Sequence, residues 1–164
     1  MTEPNAFHVV VRQAPAGLEY YVSLLDEETA LSRGLVPQAI VGVLKRPPEA
    51  GQLLKPEDFT RNKVFVEYLH DFLKREAPTL PAMRAEARRL KTGWVYILDQ
   101  RTPTPAGEVP PQDIIGAVET REGELVPGSY QRNYNHAIYS TAGFFQLDRL
   151  LHERLVAEVS VLRP

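Results

Sequence analysis

Cysteine is absent from this sequence. That excludes disulfide stapling, thiolate zinc sites, iron–sulfur clusters and cysteine nucleophiles together, so any chemistry must come from histidine, carboxylates, hydroxyls or backbone. Long apolar runs are lacking as well. No stretch approaches the roughly eighteen apolar residues of a membrane span, and the opening MTEPNAFHVVV carries an acid and a proline where a secretory signal needs positive charge. We therefore expect a cytoplasmic protein, bacterial in style, with no membrane partner.

Familiar catalytic and cofactor signatures are missing too. Lys91-Thr92-Gly93 has no glycine loop before it to cradle phosphates, no Gly-x-Gly-x-x-Gly follows a strand, and Ser129 after Gly128 lacks the second glycine of a nucleophile elbow. No cofactor is expected. Charge of one sign is also scarce, the net being −2, but its distribution is uneven. Residues 1–40 carry two basic and five acidic side chains, residues 41–91 eleven and seven, and residues 92–164 six and nine, giving −3, +4 and −3. A middle third so mildly basic falls short of a nucleic-acid footprint.

What is present is the balance of a folded domain, 43% hydrophobic and 24% charged, in 164 residues that suit a single domain with a real core. Proline alone is over-supplied, at 14 residues. FHVVVRQ (Phe7 to Gln13) and LEYYVSLL (Leu18 to Leu25) flank Ala14-Pro15-Ala16-Gly17 and predict a hairpin, its second strand burying Leu18, Tyr20, Val22 and Leu24. Asp26 to Arg33 predicts a short helix stopped by Gly34, and Ile40 to Leu44 a strand. Three prolines between Arg46 and Pro56 make that stretch a surface connection.

Asn62 caps the strongest helical pattern, in which Phe65, Leu69, Phe72 and Leu73 recur before Pro78. A second helix runs from about Pro81 to Lys91, stopped by Gly93, and forms an antiparallel pair with the first. The continuous run Trp94 to Leu98 predicts a central strand covered on both faces. Thr102 to Pro111, with four prolines, is a surface excursion. Ile114 to Thr120 and Glu124 to Val126 form a hairpin around the three residues Arg121-Glu122-Gly123, and the second arm bends past Pro127-Gly128 into Tyr130. Asp148 caps a last helix with Leu151, Leu155 and Val159 on its stripe. Strands and helices fall in groups, so we expect one α+β domain over residues 1–164: a largely antiparallel sheet of about five to six strands packed by two to three main helices.

Three constellations could carry function. Glu67, His70, Asp71 and Lys74 share a helical face with the spacing of a helical metal motif; a di-metal site would want a second such motif, for which the only other candidate is Asp148 with His152, and we expect a solvated face and no metal. Arg84, Arg88 and Lys91 form a basic stripe on the second helix that could meet phosphate oxygens or an acidic partner. The densest polar stretch is SYQRNYNHAIY, Ser129 to Tyr139. Here Ser129, Tyr130, Arg132, Asn133, Asn135 and His136 could line a pocket for a small polar or anionic ligand, with His136 as general acid or base and Arg132 as anion anchor. The same letters also make good turn chemistry. With no motif to select a reaction, the expected function is a protein-binding or regulatory module without catalysis, of the immunity or toxin-neutralising type, and the alternative is a small enzyme or polar-ligand binder built on residues 129–136.

Overall fold

A computed structural model describes residues 5–49, 54–101 and 109–164. Residues 102–108 of the proline-rich excursion and residues 50–53 of the connection after Arg46 therefore lie outside the described residues. Strands β1 (His8–Ala14) and β2 (Gly17–Ser23) pair antiparallel from Ala14↔Gly17 to His8↔Ser23, leaving Pro15-Ala16 as a two-residue turn. Next comes helix α1 (Glu27–Arg33), where the Asp26 carboxylate accepts from the Thr29 amide at 2.7 Å and Gly34 ends the helix. With β3 (Ile40–Leu44) and β4 (Phe59–Arg61) the order is β1-β2-β3-β4, all antiparallel.

The register puts Val10, Tyr21, Val43 and Thr60 in one row across this sheet, on one face. Helix α1 packs on β1, and Val10 is fully buried there. Farther along the same row Tyr21 is half-buried and Val43 stays 39% exposed. On the opposite face Val22 and Leu44 enter the core. Leu18, expected inside with them, is 53% exposed because it sits beside the turn, at the free tip of the hairpin.

Helix α2 (Lys63–Glu76) begins where Asn62 accepts from the Val64 amide and donates to the Pro37 and Ile40 carbonyls at 3.0 and 2.9 Å. One side chain thus fixes the helix start against the first sheet. Phe65, Leu69, Phe72 and Leu73 are all fully buried, each worth about 2–5 kcal/mol against truncation to alanine. Helix α3 (Pro81–Leu90) ends at Lys91, whose φ of 69° and amide bond to the Ala87 carbonyl close the last turn before Gly93 is reached. It packs against the second sheet rather than pairing with α2, since its narrow apolar face of Met83 and Ala87 meets those strands.

The second sheet contains β5 (Gly93–Leu98), β6 (Ile114–Arg121), β7 (Glu124–Leu125) and β8 (Gln131–Arg132). Here β6 is central, with β5 on one side and β7 and β8 end to end on the other. The expected central strand, β5, is instead an edge. Val95 and Ile97 point inward while Trp94 and Tyr96 are 41% and 57% exposed; aromatic residues on a wet face made an alternating strand read as continuous. The hairpin turn is two residues rather than three, because Arg121 pairs with Glu124. Glu122 and Gly123 both take positive φ, 51° and 79°, the geometry that suits strand twist.

A hairpin of β9 (Tyr139–Ser140) and β10 (Gly143–Phe144) and helix α4 (Arg149–Ser160) complete the chain. Asp148 accepts from the Leu150 amide at 3.0 Å, and Leu151, Leu155 and Val159 are buried. The class is α+β, with two four-stranded antiparallel sheets and a hairpin in place of one larger sheet. Helices α2 and α3 separate the strands in sequence, and each group pairs locally. One apolar cluster, from Val10 to Val159, draws on both sheets and all four helices. Among the described residues no helix is long and apolar enough to cross a membrane.

Candidate functional site

The polar stretch after β7 folds back along β6, and most of its hydrogen-bonding capacity is used to hold that path. The Ser129 hydroxyl donates to the Val126 carbonyl at 2.7 Å and accepts from the Glu119 amide at 2.9 Å. Asn133 donates to the Pro111 and Ile114 carbonyls, both at 2.7 Å, and its side-chain oxygen accepts from the Asn135 amide at 3.1 Å. Asparagine here does the work of a backbone turn. The Asn135 side chain faces solvent.

His136 points inward. Its side chain is 2% exposed, and Nε2 lies 2.9 Å from Asp99 Oδ2, while the ring stands edge-on to Phe145. Asp99 directly follows β5, and its other oxygen accepts from the Gln146 and Arg101 amides at 2.8 and 3.1 Å. Arg101 completes the group. Its Nε donates to Asp113 Oδ1 at 3.0 Å, and its terminal nitrogens donate to the carbonyls of Gly143 at 2.9 Å, Ala137 at 2.6 Å and Gln112 at 3.0 Å. Two carboxylates, one guanidinium and one imidazole, all but sealed from water, thereby tie four loops together. Such a group repays its desolvation only when its donors and acceptors are matched, and here every side-chain nitrogen of Arg101 and both oxygens of Asp99 are engaged.

Tyr130 and Arg132 turn the other way, toward α2. Tyr130 lies flat over β6 because position 116 is glycine; a Cβ there would stand 2.7 Å from the phenol ring and its oxygen. Its hydroxyl reaches His70 Nδ1 at 2.6 Å. His70 is buried rather than on the solvated face expected for it, and burial, reinforced by the nearby Arg132 and His136, pushes its pKa down to about 4. At neutral pH the imidazole is uncharged, and the short hydrogen bond to the Tyr130 hydroxyl holds it in place. Burial in turn raises the Tyr130 pKa. Arg132 Nη1 donates to Glu67 at 2.7 Å, its guanidinium stacks over Tyr134 with 4.4 Å to the ring centre, and its Nε is buried with no hydrogen-bond partner among the described residues.

The six residues singled out from sequence therefore divide. Ser129, Asn133 and Asn135 shape the loop, His136 joins the Asp99–Arg101–Asp113 group, and Tyr130 and Arg132 join His70 and Glu67. Sequence reasoning missed Asp99, Arg101 and Asp113, which carry no spacing signal. Among the described residues, no group of three or more His, Asp or Glu side chains is placed to hold a metal ion.

Two open surfaces lie elsewhere. The first lies on the β1–β4 sheet, a concavity of about 630 Å³ with Tyr21, Leu35, Pro37, Ile40 and Val43 among its apolar lining and Arg12, Arg61 and Lys63 among its polar lining. Arg12 is bonded to Glu19 at 2.8 Å. The second is a groove of about 430 Å³ between α3 and the β6–β7 turn, bordered by Arg84 and Arg88. No family model matches this chain, nor does any curated protein or solved structure.

Proposed function

We propose that this chain is a protein-binding module without chemistry of its own, acting in the cytoplasm, and that its partner docks on the open face of the β1–β4 sheet. One observation carries the reading: the concavity over the open sheet face is lined by apolar side chains together with Arg12, Arg61 and Lys63, while Tyr130 and His136 of the polar stretch are engaged inside the protein. Exposed apolar area of this kind on a folded domain is a usual mark of an interaction surface. The lining includes no carboxylate, so the partner is a protein with an acidic rim around an apolar patch. A second copy of this chain is disfavoured, since a two-fold contact would set a lining with cations and no carboxylate against a copy of itself. Neutralising a partner by covering its working surface, as an immunity-type protein does, requires no catalytic group.

The test is co-purification from the source cell with wild type, Val43→Glu and Lys63→Glu. The reading expects one partner retained by wild type and by Arg132→Gln and lost in both face variants, with the fold intact by circular dichroism. Retention by the face variants, or loss in Arg132→Gln alone, overturns it. The alternative of a small polar ligand near residues 129–136 draws on Arg132 Nε, a donor beside His70 and Tyr130 with no partner among the described residues. Calorimetric binding of a small carboxylate or phosphate that is abolished by Arg132→Gln would favour it.

A further inference from the structure

We propose that the groove between α3 and the β6–β7 turn binds a short acidic segment of a protein, with a carboxylate held by Arg84 and Arg88 and a neighbouring aliphatic side chain seated against Leu125, Val126 and Pro127. This site is separate from the sheet face and does not depend on it.

The two arginines stand one helical turn apart on α3, so their guanidinium groups border the same groove. Neither is within ion-pair distance of a carboxylate among the described residues; Arg84 makes one long bond of 3.4 Å to the Pro78 carbonyl. The neighbouring Arg89 differs, because Glu86 occupies it on another side of the helix. Two planar donors with free capacity suit a carboxylate, which they can grip through paired hydrogen bonds.

The opposite wall is fixed in place. The Gly123 amide donates to the Lys91 carbonyl at 2.9 Å, and a Cβ on Gly123 would come within 3.6 Å of the Arg88 Cα, so the turn is drawn tight against the helix. Of the amides along this wall, that of Val126 donates to the Glu119 carbonyl, and Pro127 has none. Apolar lining from Pro78, Ala87, Leu125, Val126 and Pro127 would stay wet beneath a small inorganic anion, whereas an acidic residue followed by an aliphatic one covers both parts. Glu124 also lines the groove, and its charge disfavours polyphosphates and nucleic-acid backbones while leaving room for one carboxylate.

Fluorescence anisotropy tests this with a fluorescein-labelled peptide carrying glutamate between leucine and valine, its glutamine counterpart, and inorganic pyrophosphate as competitor. The glutamate peptide should bind at least about tenfold more tightly than the glutamine peptide, and the double substitution Arg84→Gln, Arg88→Gln should remove that difference. Arg89→Gln should leave it unchanged, and Glu124→Gln should tighten binding severalfold. Equal affinity for the two peptides overturns the proposal, as does weaker binding by Glu124→Gln or an undiminished preference in the double variant. Displacement by pyrophosphate at peptide-like concentrations overturns it in favour of a small-anion site.

Discussion

Arginine serves two opposite purposes in this molecule. At Arg101 the side chain is 2% exposed, and its three nitrogens all donate to a carboxylate or to backbone carbonyls. At Arg84 and Arg88 the guanidinium groups edge an open groove with no carboxylate partner among the described residues. Both regions gather charged residues, of which sequence reading marks the Arg84–Arg88 stripe and, in the closed group, only His136. The difference is whether the hydrogen-bonding capacity is already used by the fold. Where it is, the cluster is architecture; where it is not, the cluster is available to a ligand.

Replacing Arg101 with methionine tests the comparison most severely. It strands Asp99 and Asp113 in a sealed interior and frees four loops, and should cost about 3–5 kcal/mol. Urea unfolding measures this directly. A cost under about 1 kcal/mol would mean that water enters the group and that it is less closed than its geometry implies.

The helices and their caps were legible in the sequence because their causes are local. Asn62 and Asp148 sit one residue before helices with periodic apolar stripes, and the residues of those stripes are buried. β5 was misjudged because Trp94 and Tyr96 are apolar by letter and solvent-facing in fact. Nothing local could have joined His136 to Asp99, 37 positions away, or shown that α3 would use Met83 and Ala87 to cover a sheet. The Arg84–Arg88 stripe was visible as a pattern. Its groove was not, because the other wall comes from a turn some 35 residues later whose position depends on the Lys91–Gly123 hydrogen bond.

The His70–Tyr130 pair yields the next largest effect, and it depends on pH. The folded pKa of about 4 lies below the ordinary histidine value of 6.5, so the unfolded chain takes up the proton first. Stability from this group is therefore complete above about pH 6.5 and is lost as pH falls through 4, by at most about 3 kcal/mol over the window. His152, also lowered by burial, adds a slope of the same sign. Denaturant titrations at several pH values should show His70→Gln flattening the dependence without abolishing it. An unchanged slope would place His70 in contact with water and return it to the groups free to act.

His136→Ala sharpens the contrast within the polar stretch itself. Loss of the imidazole removes one partner of buried Asp99 and should cost about 1.5–3 kcal/mol. Asn135→Ala, at an exposed position, should change stability by less than about 0.5 kcal/mol. If the two variants unfold at the same denaturant concentration, His136 is not structural, and a ligand-facing role for it gains ground.

The smallest expected effect on stability falls at the open surfaces, and it is the most informative. Arg88→Gln removes a charge that no described carboxylate balances, and Val43→Glu adds one to a face that is already wet, so each should shift the unfolding free energy by less than about 0.5 kcal/mol. Both should nevertheless change binding. Arg88→Gln should weaken the acidic peptide and lower the salt sensitivity of its affinity, whereas Val43→Glu should leave that peptide unaffected and release the protein partner. If Arg88→Gln destabilises the fold as much as His136→Ala does, its guanidinium is already engaged and the groove belongs with the closed cluster.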